Sequence, residues 1–232
     1  NITLQNQKFL ADLKIYPGPL ITYDTLIIKS DGKVISHAFI SNYLKIKKGQ
    51  PYREKELEKI SERIEALQFI TEVRAHEITF QKNKAKIYIY LEKGKSSNAN
   101  GIIGIQPDNQ TGKINITGEV QLQLKNVFKI AETIDLEWQK LQPQTQNLDI
   151  NIQFPMLFNT PFGIDAGFHL YKRDTSFLDI AGRAGVIYTF SNFNHIGVFY
   201  QYENSQILNA VANPQSLGIT PVKKNHFGIN AS

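Results

Sequence analysis

The residues of this 232-residue chain that could do acid–base or metal chemistry are five histidines and 21 carboxylates, and their spacing argues against both. His37, His76, His169, His195 and His226 are scattered, and no His-x-x-x-His pair sets two imidazoles on one helix face. Cysteine is absent, which removes thiolate metal sites and disulfides. Gly101-Ile-Ile-Gly104 is a spaced glycine string, but no Lys-Ser/Thr closes it and no helical pattern follows, so it is not a phosphate loop. No Gly-x-Ser-x-Gly elbow occurs. Asp135 and Glu137, two residues apart, fall on one face of a strand and read as the wet wall of a lumen rather than an acid–base pair. The chain reads as no enzyme, with no metal and no cofactor.

The elements carrying those carboxylates are strands. From Lys113 to Phe154 apolar residues recur at even numbers: Ile114, Ile116, Val120, Leu122, Leu124, Ile130, Ile134, Leu136, Trp138, Leu148, Ile150, Ile152 and Phe154. The parity continues through Phe162–Leu170, Leu178–Phe190 and Ile196–Tyr202, with an eighth strand expected from Lys223. A period of two puts alternate side chains on opposite faces, so each strand has one apolar and one polar face. Segments of ten to thirteen residues exceed the usual five or six and suit a tilted membrane crossing. Aromatic residues such as Trp138, Phe154, Phe162, Tyr188 and Phe190 gather near strand ends, where rings favour a bilayer interface. Short connections at 126–128, 155–161 and 191–194 alternate with more polar ones at 107–112, 141–146, 173–176 and 203–221. A soluble sandwich also alternates, but unequal loops and aromatic strand ends favour a membrane barrel.

The first 97 residues differ in charge, with 17 Lys and Arg against 11 Asp and Glu; the remainder hold 9 against 10. No basic run interleaves with aromatics, so nucleic acid is not expected as a partner. A strand is expected at 25–28, a short helix at 36–44 and one long helix at 53–67, with Leu57, Ile60, Ile64 and Leu67 as its buried stripe. Strands follow at 69–80 and 85–91, giving an α+β unit of order β-α-α-β-β. The boundaries drawn are 1–19, 20–93, a linker at 94–100, and 101–232.

Lys48-Gly-Gln-Pro-Tyr52 before the long helix, Leu67 near its end and Phe69-Ile-Thr-Glu-Val73 give the unit at 20–93 a pattern that resembles a POTRA domain. Gly101-Ile-Ile-Gly-Ile, Leu122-Gln-Leu-Lys-Asn126 and Pro155-Met-Leu-Phe-Asn-Thr-Pro-Phe-Gly163 resemble the first strands and a periplasmic turn of the BamA/TamA outer-membrane assembly superfamily. The resemblance implies an α+β POTRA domain followed by antiparallel transmembrane β-barrel strands, the first half of a sixteen-stranded barrel. The family's Arg-Gly-aromatic loop motif is absent from this stretch. The resemblance also implies that 1–19 is the tail of a preceding POTRA domain; the start at Asn1, with neither an initiator Met nor a signal peptide, reads as a processed or excised segment. The implied function is assembly, insertion or translocation of other proteins at the cell outer membrane, with the POTRA part in the periplasm. The implied partners are the outer-membrane bilayer, unfolded client proteins and periplasmic or lipoprotein accessory subunits. The alternatives are a two-partner-secretion transporter of one client and a porin-like structural barrel. The implied client edge of the POTRA sheet is Val73, Arg74, Ala75, His76, Glu77, Ile78 and Thr79. The implied lateral gate is Gly101, Ile102, Ile103, Gly104, Ile105 and Gln106, a short strand whose two glycines make it easy to open.

Overall fold

The computed structural model describes residues 2–5, 8–11, 14–107, 112, 114–142, 144–191, 194–208 and 221–231. Three sheets follow one another along the chain. Strands β1 (Ile2–Gln5) and β2 (Lys8–Ala11) form an antiparallel hairpin, and Lys14–Leu20 is exposed and irregular. After β2 the described residues hold no strand until Thr22. Ile15 and Tyr16, 75% and 86% exposed, have no face to bury against.

The α+β unit comprises β3 (Thr22–Lys29), helices α1 (His37–Tyr43), α2 (Glu54–Leu57) and α3 (Ile60–Glu65), then β4 (Ile70–Gln81) and β5 (Lys84–Lys93). Its sheet has the order β3-β5-β4, with β3 parallel and β4 antiparallel to β5. Alternate residues of the central strand, Ala85, Ile87, Ile89 and Leu91, are buried under Phe39, Ile40, Ile60 and Ile64 of the helices. Burying each large aliphatic side chain contributes about 1.5–3 kcal/mol, so this face carries the unit's stability.

The single helix expected at 53–67 is two, broken at Glu58 and Lys59. Glu54 and Glu58, and Lys55 and Lys59, are like-charge pairs four residues apart across the break, an arrangement that disfavours a continuous helix. The buried stripe of Leu57, Ile60, Ile64 and Leu67 survives, because packing on the sheet fixes it.

The remaining strands are β6 (Asn98–Pro107), β7 (Ile114–Lys125), β8 (Thr133–Gln142), β9 (Thr145–Phe154), β10 (Phe162–Arg173), β11 (Phe177–Ser191), β12 (Asn194–Ile207) and β13 (Val222–Ala231). They form one antiparallel meander in sequence order, with β6 at one edge and β13 at the other. Among the described residues the sheet does not close on itself. Its apolar face is bare: Val186, Val198, Phe227 and Ile229 are between 50% and 84% exposed. A patch of this extent needs a non-aqueous neighbour, and it has the alternation of a membrane barrel wall. The opposite face holds an Asp165–Arg183 ion pair at 2.7 Å and a His169–Asp149 contact at 2.6 Å. Ile130, included in the strand parity from sequence, lies in the β7–β8 turn.

Two turns of this sheet dock on the α+β unit. Asn126 Nδ2 donates to the Val34 carbonyl at 2.8 Å, Ser36 N–H donates to the Lys129 carbonyl at 2.7 Å, and Asn42 Nδ2 donates to the Asn159 carbonyl at 2.8 Å. Ala131 belongs to the unit's buried core, and Met156 packs against it. The short-turn end of the sheet therefore faces the α+β unit, and the described turn at 173–176 lies at the far end.

Candidate functional site

The sequence-derived candidates lie on two of the sheet edges, β4 and β6. Val73–Thr79 falls within β4, which pairs with β5 on one side only. The other outer strand of that sheet, β3, is partly covered. Tyr23 N–H donates to the Gln50 carbonyl, Gly49 N–H to the Tyr23 carbonyl, and Tyr52 N–H to the Ile21 carbonyl, with a bridge from Thr22 to Pro51. The segment 49–52 thus occupies one end of the β3 edge and leaves β4 the more open of the two.

Strand β4 is irregular, with register shifts between Glu72 and Arg74 and between Arg74 and Glu77. Such bulges re-aim side chains and twist an edge. The outward-turned cluster at this point is polar: the Arg74 guanidinium lies 3.7 Å over the Tyr90 ring, Arg74 pairs with Glu77 at 3.2 Å, and Tyr90 OH donates to Glu77 at 2.8 Å. That hydrogen bond to Glu77 holds the Tyr90 phenol above its ordinary pKa, with burial a smaller cause. His76 and Glu72 approach to 4.0 Å, yet His76 Nδ1 and Glu72 Oε1 are buried without a hydrogen-bond partner. Val73 is 55% exposed and supplies an apolar contact on the edge.

The second edge is β6, whose ten residues pair with β7 over their whole length. This revises two expectations. The strand begins at Asn98, so Asn98–Asn100 are strand and the connection from β5 shortens to residues 94–97. Nor is β6 short, because continuous pairing with β7 extends it beyond Gly101–Gln106 at both ends. Pairing also sorts its side chains. Gly101, Ile103 and Ile105 share the apolar face with Val120 and Ile116, whereas Ile102 and Gly104 lie on the polar face with Glu119 and Thr117. Ile102 is therefore an apolar side chain on the polar side, 79% exposed. Gln106 shares that face by register; its side chain lies outside the described set.

The closest backbone approach at this edge comes from β7. Gly118 has φ +154°, and a Cβ there would lie 2.3 Å from the Ile102 carbonyl oxygen. Sequence reading singled out the glycines of β6 and missed this one, although an isolated glycine inside an alternating strand is the signal that could have found it. It also missed the coupling turn of residues 126–132. Glu132, 1% exposed, accepts from the Phe128 and Ile130 amides at 2.6 and 3.3 Å, and Asn126 Oδ1 accepts from the Ala131 amide at 3.1 Å.

Between the two units lies a cleft of about 580 Å³, lined by Tyr43, Lys45, Lys47 and Arg53 on one side and by Met156, Tyr188 and Phe190 on the other. Burial pushes the Tyr43 phenol up to about 12, against the lowering effect of Arg63. Among the described residues no group of three His, Cys, Asp or Glu side chains could hold a metal ion, and no helix is long and apolar enough to cross a membrane.

Residues 23–94 match the family model of POTRA, the surface antigen variable number repeat. The fold of nearly the whole chain is found in solved structures, among them the following two. One is BamA from Haemophilus ducreyi lacking POTRA domains 1–3, at TM-score 0.58 and 10% identity over 92% of this chain and 43% of that one. The other is CdiB from Acinetobacter baumannii, at TM-score 0.54 and 14% identity over 91% of this chain and 42% of that one. The chain thus spans less than half the length of either structure. No curated protein matches it in sequence.

Proposed function

We propose that this chain, a POTRA domain leading into the strands of a BamA-type barrel, belongs to an outer-membrane machine that inserts or translocates other polypeptides. The POTRA part would lie in the periplasm, on the side where the short turns dock. Unfolded client proteins are the substrates in this reading, and periplasmic or lipoprotein subunits are its accessory partners. The work is physical rather than catalytic: an extended client adds to an unpaired strand through main-chain hydrogen bonds, and alternate side chains set its register.

The observation that carries this reading is the placement of the two edges. Strands β4 and β6 each have one unpaired side, and only residues 94–97 separate the POTRA sheet from β6. A client held along Val73–Thr79 is thereby kept close to the strand at which it would be templated. The barrel-side edge is Gly101–Gln106 within β6, where Gly101 and Gly104 leave neighbouring backbone uncovered.

The test is a reversible cross-link in the full-length protein between a cysteine replacing Ile103 and one on the last barrel strand. Client assembly should fall under oxidising conditions and return with reductant. Undiminished assembly with the cross-link formed would remove β6 from the mechanism.

A transporter dedicated to one client is the second reading, favoured by a barrel likeness to CdiB close to that for BamA. Depletion distinguishes the two. A general assembly factor would lower many outer-membrane proteins together, and a dedicated transporter would block one secreted partner.

A further inference from the structure

We infer that the apolar face of the barrel sheet carries a binding site for a phosphorylated anionic lipid of the leaflet remote from the POTRA domain. This rests on the membrane-barrel reading above. The observation is a charge asymmetry. Among the described strand residues that share a face with Val186 and Val198 there is no Asp or Glu, and the only charged side chains are Lys140, Lys172 and Lys223. All three sit toward the polar-loop end. The carboxylates, Glu119, Asp135, Glu137, Asp149, Asp165, Asp179 and Glu203, face the other way, so none can neutralise the lysines across the wall.

Register brings two of the cations together. Lys172 pairs with Gln146, and Lys140, just past the Gln139–Asn147 pair, lies in the β8–β9 register irregularity that sets Lys140 and Leu141 against Gln146, so the two lysines lie on either side of β9. Two strand spacings separate them by about 10 Å, a distance that flexible lysine stems can close around phosphate oxygens. Lys223 lies three strands from Lys172, with its ammonium 5.9 Å from the Tyr202 ring.

A second feature lies below them on the same face. A groove of about 780 Å³ runs over β10–β13, floored by Ala166 and Ala184 and walled by Ile164, Val198, Phe227 and Ile229. Lys172 is six residues beyond Ala166, about 20 Å along the strand and about 15 Å in height at the usual tilt. Half of a bilayer's hydrocarbon thickness is also about 15 Å, so the groove sits at acyl-chain depth and the lysines reach the headgroup phosphates. Charge complementarity thus fits a lipid with more than one phosphate and acyl chains long enough to enter the groove.

The experiment uses the full-length protein in nanodiscs and counts bound lipid by native mass spectrometry. The lipids offered are a bisphosphorylated acylated glycolipid, a zwitterionic phospholipid and, as a headgroup control, inorganic phosphate. Saturable retention of the bisphosphorylated lipid should fall about a hundredfold in K140Q/K172Q/K223Q and by a smaller factor in K172Q alone. It should be unchanged in K224Q, which removes a lysine from the opposite face. Equal retention by the triple variant, or equal retention of the zwitterionic lipid, overturns the site; competition by inorganic phosphate alone would show that the acyl groove plays no part and overturns it as well. The single K172Q variant keeps the test open if the triple variant does not fold. Failure of the wild-type protein to insert into bilayers would instead refute the membrane-barrel reading, which heat-modifiable migration on gels checks separately.

Discussion

Replacing Asn126 should release the POTRA domain from the barrel without unfolding it. Asn126 is 4% exposed, has φ 57°, donates from Nδ2 to the Val34 carbonyl and accepts at Oδ1 from the Ala131 amide. Glycine at this position keeps the left-handed backbone unstrained but strands a buried donor and a buried acceptor, each costing about 1–3 kcal/mol. Alanine adds the left-handed penalty of about 1–2 kcal/mol. Allowing for relaxation, N126G should weaken docking by about 2–3 kcal/mol and N126A by about 3–5 kcal/mol. A loss of about 3 kcal/mol multiplies the undocked population roughly a hundredfold. Spin labels at Glu58 and Gln144, both exposed, report the relative placement of the two units. The wild type should give one narrow distance distribution, N126G a broader one and N126A the broadest. Val34 and Ala131 lie in the same core cluster, but the lost bonds engage only their backbone groups and leave the side-chain packing of Ile40, Ile60, Ile87 and Ile89 in place, so the core should be perturbed less than the docking. If N126A retains the narrow distribution, docking does not depend on this turn and the reasoning fails.

Three further outcomes follow from the same structure. Burial raises the Glu56 pKa, but the Arg63 hydrogen bond at 2.7 Å and its charge outweigh this and hold the carboxyl below its ordinary 4.5. Its stabilising contribution is therefore present above about pH 4.5 and is lost as pH falls through the lower folded value. E56Q should cost about 1 kcal/mol at pH 7 and little in acid, as thermal unfolding at the two pH values would show. G118A should push β6 away from β7, because its Cβ would collide with the Ile102 carbonyl; faster amide exchange at 98–107 is the readout, and unchanged exchange would contradict the close approach. V73K puts a charge on the exposed edge of β4 and should reduce cross-linking of an extended client peptide to that strand, while far-UV dichroism stays constant.

Much of the architecture is legible in the residues because its signals are local. A period of two marks β7–β13, and the alternation of Ala85, Ile87, Ile89 and Leu91 marks the buried strand of the POTRA sheet, since each strand must present one face to something apolar. The Arg53–Leu67 region shows the limit. Its apolar stripe reads correctly, but the break at Glu58–Lys59 is a balance of small like-charge terms that no stripe records. Linker composition likewise misled at Asn98–Asn100, because a strand lacking apolar residues on one face looks like a loop until its partner is seen; here Gln121, Leu122 and Gln123 are the partners.

By itself, the order of residues determined that this chain builds an α+β unit and then two-faced strands, with acids on one face and apolar side chains on the other. Tertiary structure alone decided which strands are left with an unpaired edge, because edges depend on pairing order: β5 is central although last in its sheet, and segment 49–52 closes part of β3 but none of β4. It also decided that Asn126 and Val34, 92 residues apart, meet. A hydrogen bond of that span needs two separately folded surfaces to be brought into register, and no spacing along the chain encodes it.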